Sequence, residues 1–211
     1  MIEKILEKRR FTRSFTKERY PEKELINNLI EKAFDLVPSK QNVIPYYINI
    51  FGPEHTETKE KIVQMSFRSY FKKDLGFNPN TQLKAPYLLV FCNRLVTHPN
   101  KWVESLIKAG RQFKVCDKKE YSKTSTLKDV SLEVGMFAMI LTQLCLENNI
   151  DTAYTLCHFN DPKNQNIVKD TVLLIMSLGY ATSVLDQEVR KKAYINRGET
   201  KPKLKDVMIW R

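Results

Sequence analysis

The chain has 211 residues, 42% of them hydrophobic and 28% charged, which suits one globular domain with a proper core. Its formal net charge of +11, from 35 Lys and Arg against 24 Asp and Glu, admits an anionic ligand, a nucleic acid or a lysine-rich proteome. No apolar run approaches the roughly 20 residues of a membrane span, and no apolar leader follows Met1, so a cytoplasmic protein is expected.

The first informative segment is Arg9-Arg10-Phe11-Thr12-Arg13, with three permanent charges in five positions just before a helix. Guanidinium forks suit a phosphate better than a lone ammonium does, although such a run also serves as a solvated basic patch. Residues 22–37 are predicted to be that helix: Leu25, Leu29, Ala33 and Val37 form one stripe beside Ile26, Ile30 and Phe34, with Pro21 in the first turn and Pro38 as a stop. A loop over 38–45 leads to the strand-like run 46–51, closed by Gly52-Pro53. Residues 54–74 are polar and helix-compatible, and 76–80 are turn-rich. The run 87–92 is apolar on both faces, as a central strand is.

Residues 98–126 are the least regular and are expected to form an excursion or lid. Residues 131–148 are the strongest helix. Val134, Phe137, Ala138, Leu141, Leu144 and Cys145 share a face, and Met136, Met139 and Ile140 extend it, which calls for a core or a subunit interface. Asn148-Asn149 is a left-handed stop. Strands are expected over 152–157 and 172–180, followed from about 186 by a basic tail. Helices and strands mix without strict alternation, and an α+β sandwich with the sheet between helical layers fits best.

The usual catalytic constellations are absent. There is no glycine-rich phosphate loop and no G-x-S-x-G, and His55, His98 and His158 are too far apart for a metal site. Cys92, Cys116, Cys145 and Cys157 are widely spaced and are expected to be reduced and structural. A Cys157/His158 dyad is disfavoured because neighbours on a strand point to opposite faces. The lysines are scattered, with no stripe of interleaved aromatics, which argues against a nucleic-acid groove. If the chain is an enzyme, its reactivity comes from a cofactor.

The order of motifs resembles the nitroreductase family of FMN-dependent, NAD(P)H-using oxidoreductases. The likeness rests on Arg9-Arg10-Phe11-Thr12-Arg13 with Pro21, on Pro38-Ser39-Lys40-Gln41-Asn42-Val43-Ile44-Pro45-Tyr46, on Phe77-Asn78 before the strand from Ala85-Pro86, on the apolar helix with Ile150-Asp151-Thr152, and on Leu178-Gly179-Tyr180. It implies a nitroreductase-like α/β/α sandwich with a mixed, mostly antiparallel sheet, in a single FMN-binding domain over residues 1–211. It implies an oxidoreductase that takes a hydride from NADH or NADPH and reduces a small acceptor such as a nitroaromatic or a quinone. It also implies a homodimer with shared sites, the tail over 186–211 being exchanged.

In such proteins the positions of Arg9, Arg10 and Arg13 hold the FMN phosphate and ribityl chain, and Phe11 stands where a serine is usual. Ser39 and Asn42 would lie beside the flavin from the neighbouring subunit, and Asn78 would face its ring edge. Thr81 replaces a frequent lysine, leaving Gln82 or Lys84 as substitutes, and Arg197 and Lys201 are the tail residues placed for the phosphate. The stretch 154–158 lacks the usual glycine. A flavin-binding or interaction protein without catalysis, and a nucleic-acid-binding module, are the competing readings.

Overall fold

A run apolar at every position must be covered on both faces. In the computed structural model the run Tyr87–Asn93 is strand β2, and its residues 87 to 92 are at most 3% exposed. Residues 2–39, 44–66, 80–94, 124–156, 166–182 and 207–208 are described. Around β2 stand α1 (Ile2–Glu7), α2 (Lys23–Leu36), β1 (Tyr46–Phe51), α3 (Thr56–Met65), a 3-10 turn (Thr81–Lys84), α4 (Thr124–Glu147), β3 (Asp151–Thr155) and β4 (Val172–Gly179). The strands form a sheet in the order β1-β2-β4-β3. Every pairing within it is antiparallel.

The period of two along β2 sorts the core into two layers. Tyr87, Leu89 and Phe91 join Leu174, Met176 and Leu178 of β4 on one face, beneath Ile26, Leu29 and Ala33 of α2 and Val134, Phe137 and Leu141 of α4. Leu88, Val90 and Cys92 face the other way, toward Ile62 and Val63 of α3 and Leu83 and Ala85 at the 3-10 turn. The pairing shifts between Phe91 and Cys92, opposite Leu174 and Val172, so Leu173 is the extra residue of a bulge. This is the α+β sandwich expected, with helices on both faces of the sheet.

Several boundaries move. The long helix begins at Thr124, inside the stretch read as irregular, and the rest of 98–126 lies outside the described residues. Pro21 precedes the N-cap Glu22 instead of sitting in the first turn of α2. The polar helix spans Thr56–Met65, residues 67–74 of that stretch lie outside the described residues, and β3 stops at Thr155, before the Cys157/His158 pair. The reading that no apolar run is long enough for a membrane span is also corrected. By length and composition Val130–Glu147 passes that test, with a mean hydropathy of 1.5. Thr142 and Glu133 interrupt the run locally without lowering its average much, and 56% of the window is buried inside the fold.

Candidate functional site

The strongest apolar helix ends in a way that sets up the polar site. Asn149 takes the left-handed conformation (φ 56°), which asparagine tolerates better than most residues. The Ile150 N–H then reaches back to the Cys145 carbonyl at 2.8 Å, and the Asn149 N–H reaches the Leu146 carbonyl at 3.2 Å. This pair of bonds is a Schellman turn. It buries Ile150 completely and delivers Asp151 to the start of β3.

Asp151 gathers three segments. Its Oδ1 accepts from Arg10 Nε at 3.0 Å and from Thr12 Oγ1 at 3.1 Å, and its Oδ2 accepts from the Ala181 N–H at 3.1 Å. The chain from residue 9 to 16 is thereby laid along the sheet as a strap. Thr12 N–H donates to the Thr152 carbonyl (3.2 Å), Thr16 N–H to the Tyr180 carbonyl (2.9 Å), and Thr182 N–H to the Ser14 carbonyl (3.0 Å). Thr12 is fully buried and Phe15 bridges to Ala181. Gly179 makes the approach possible: a Cβ there would stand 2.7 Å from Pro86 Cδ and 3.0 Å from Phe15 Cδ1. That is a physical reason for the glycine in Leu178-Gly179-Tyr180.

The arginines of the strap differ in their surroundings. Arg9 is exposed and pairs with no carboxylate among the described residues. It lies near Tyr154, whose hydroxyl burial pushes above its ordinary range, while the bond to Thr142 and the Arg9 charge act the other way. Arg10 uses only Nε on Asp151, leaving the outer edge of its 44% exposed side chain toward solvent. The Arg13 guanidinium sits 4.6 Å from the centre of the Phe11 ring. Phe11 therefore replaces a hydroxyl with an aromatic platform for a cation.

The 3-10 turn meets this strap through Thr81, the neighbour of Gln82. Thr81 Oγ1 donates to the Arg13 carbonyl at 2.7 Å, and Gln82 Nε2 donates to Thr155 Oγ1 at 3.0 Å. Gln82 is 3% exposed, yet its Oε1 is buried without a partner. An unmet buried carbonyl costs about 1–3 kcal/mol, which an arriving N–H donor would recover.

Ser39 is held elsewhere. Its Oγ donates to Glu133 Oε2 on α4 at 2.7 Å and accepts the Ile44 N–H at 3.0 Å. Ile44 has φ 46°, so this bracket closes the loop through a conformation a β-branched residue rarely adopts. Tyr46, whose hydroxyl is buried, has its pKa raised by burial and by the Glu133 charge. Asn42, Asn78, Arg197 and Lys201 lie outside the described residues, as do Cys116, Cys157 and His158. Cys92 and Cys145 are buried thiols that form no disulfide among the described residues. Sequence reasoning overlooked Asp151, Thr12, Thr155 and Glu133 as partners. A separate cleft of about 290 Å³, between Lys17 and Lys59, is lined by Lys84, the alternative to Gln82, and by none of the other predicted site residues.

The comparisons bear on the fold. No protein-family profile matches the chain, and no curated protein matches it in sequence. Solved structures do match over its whole length. A nitroreductase family protein from Streptococcus pneumoniae superimposes with a TM-score of 0.64 at 17% identity, covering 100% of both chains. The chain has the nitroreductase fold. A candidate NAD(P)H:FMN oxidoreductase from Staphylococcus epidermidis gives 0.67 at 15% identity, covering 100% of this chain and 96% of that one. A candidate nitroreductase in complex with FMN, from Exiguobacterium sibiricum, gives 0.66 at 16% identity, with 100% and 97% covered. At such identities it is the fold that is shared, and the chemistry has to be argued from this chain's own residues.

Proposed function

We propose that the protein is an FMN-dependent oxidoreductase, with the strap over 9–13 and Gln82 forming one side of the flavin site. The observation that carries this reading is a three-arginine strap tied at Thr81 to the 3-10 turn that holds the buried, unmet Gln82 Oε1, in the nitroreductase fold. The residues present fit the cofactor. Arg9 and the outer edge of Arg10 present cationic donors to a phosphate, and a flavin's ring edge carries an N–H suited to Gln82 Oε1. When bound, FMN would supply the hydride chemistry, between NADH or NADPH and a small organic acceptor such as a nitroaromatic or a quinone.

The chain's own part is binding and orientation. Thr155 fixes the Gln82 amide so that its carbonyl faces away from the sheet hydroxyl, and Phe11 holds the Arg13 plane. The reading includes a homodimer in which Ser39 and Asn42 approach the flavin from the second copy, with Arg197 or Lys201 of the tail completing the phosphate contacts. Leu132 and Met139 support it: two helical turns apart on α4, they remain 66% and 38% exposed and form apolar surface for a second copy to cover.

One observation favours a second reading. β3 ends in Tyr154-Thr155, with the Thr155 hydroxyl bonded to Gln82 where the family resemblance leads one to expect a glycine-containing approach to the ring. Such a site binds flavin without turnover. Reconstitution with FMN, followed by anaerobic NADH or NADPH addition, separates the two. Bleaching of the bound flavin is expected; retention of a yellow colour assigns the chain to flavin binding alone, and failure to bind FMN removes both readings.

A further inference from the structure

Asp151 presents a problem of sign. A carboxylate beside a phosphate-binding strap subtracts from the charge that attracts the anion, and simple Coulomb reasoning makes it a liability. Its contacts say otherwise. Both oxygens are engaged, by an arginine and a buried threonine of the strap and by a backbone N–H from residue 181, and its side chain is only 16% exposed. The Arg10 contact is through Nε alone, which pins the guanidinium plane while leaving its outer N–H pair free to form a two-pronged bond to an oxyanion.

We infer that Asp151 is a positioning residue for the cofactor phosphate, which orients Arg10 and seats the strap at Thr12, and that this geometric gain outweighs its unfavourable charge. The inference rests on the flavin reading above and assigns a phosphate-specific role to a residue that touches no ligand. A flexible arginine loses side-chain entropy when it binds an anion, and a fork fixed beforehand loses less. Arg10 held by Asp151 is such a fork. The exposed Arg9, with no acid to hold it among the described residues, keeps its freedom until the ligand arrives.

The test compares FMN with riboflavin, which lacks the phosphate, by flavin fluorescence titration of the full chain and its variants. Asp151→Asn removes the charge and keeps an acceptor. If charge decided the matter it would tighten FMN binding; positioning predicts a loss of about tenfold in FMN affinity with riboflavin unchanged. In an Arg10→Ala background the same change should have little further effect, because Asp151 acts through Arg10. Thr12→Val, which keeps the charge and removes a neighbouring bond to the same oxygen, should weaken FMN binding in the same direction but less. It also serves if Asp151→Asn does not fold. Tighter or unchanged FMN binding, or equal losses for FMN and riboflavin, overturns the positioning role. A wild-type chain that binds neither flavin overturns the reading beneath it instead.

Discussion

Two acids, one inside the N-terminal half of α4 and one just past its C-terminal end, each fasten a polar segment, and the two are held differently. Glu133, in the N-terminal half of α4, is 7% exposed and takes the Ser39 hydroxyl, closing the loop to Ile44. Asp151, just past the Schellman turn, takes a guanidinium, a hydroxyl and an N–H and stays partly open to solvent. A buried acid is costly to leave without its donors, so its partners are tied to the stability of the fold. A partly exposed ion pair contributes little to stability but fixes direction, which is what a site requires. α4 thus serves the fold through Glu133 in its N-terminal half and the site through the turn past its C-terminal end.

Removing the common frame should have the largest effect. Phe137 is fully buried, with its ring 6.0 Å from that of Tyr46 and 5.6 Å from that of Phe91. Phe137→Ala is expected to lower stability by about 3–5 kcal/mol, read from the midpoint of urea unfolding, and to loosen both segments together. Loss confined to one segment would show that α4 is not their shared support.

Alkali should act on the same helix. Burial pushes the Cys145 thiol from its ordinary 9.0 up to about 12. Between those values the unfolded chain gives up the proton and the folded chain keeps it, so stability falls as pH rises. The unfolding temperature should be level below about pH 9 and decline from there toward 12, and Cys145→Ala should flatten part of the decline. An unfolding temperature that rises over that window would contradict the burial argument.

A crossed pair of variants addresses the comparison itself. Glu133→Ala should cost about 2 kcal/mol in stability and speed hydrogen exchange at the Ile44 amide, leaving that of Ala181 unchanged. Asp151→Ala should cost about 1 kcal/mol or less, speed exchange at Ala181, spare Ile44, and carry the larger loss in FMN affinity. If both variants moved both amides, the segments would form one cooperative unit. Asn149→Gly should be the mildest change, within a few tenths of a kcal/mol, because glycine accepts the left-handed turn freely. A large loss would mean that the asparagine side chain, and not the backbone, positions Asp151.

Much of the frame was legible in the sequence because it is set by periodicity. The two-faced burial of β2, the apolar face of α4 and the left-handed stop at Asn149 follow from local patterns alone. The start of α4 was missed because Thr124 to Asp129 carries no apolar stripe, and capping and tertiary support decide such boundaries. In the site, the arginines were visible by charge type, but their holder was not. Asp151 lies 141 residues from Arg10, and a strand-initial aspartate has no local mark of a distant partner. Phe11 read as the loss of a serine hydroxyl, whereas the fold makes it the ring beneath Arg13. Ser39 was expected beside a flavin, and its described partner within the chain is Glu133.

Titration with FMN and riboflavin, repeated on Arg9→Ala and Arg13→Ala, decides whether the arginine strap holds a phosphate-bearing flavin. The account predicts that the wild-type chain binds FMN about tenfold or more tightly than riboflavin, and that each variant erodes this preference while leaving riboflavin affinity nearly constant. Equal affinity for the two flavins, or a preference that survives both substitutions, would contradict it.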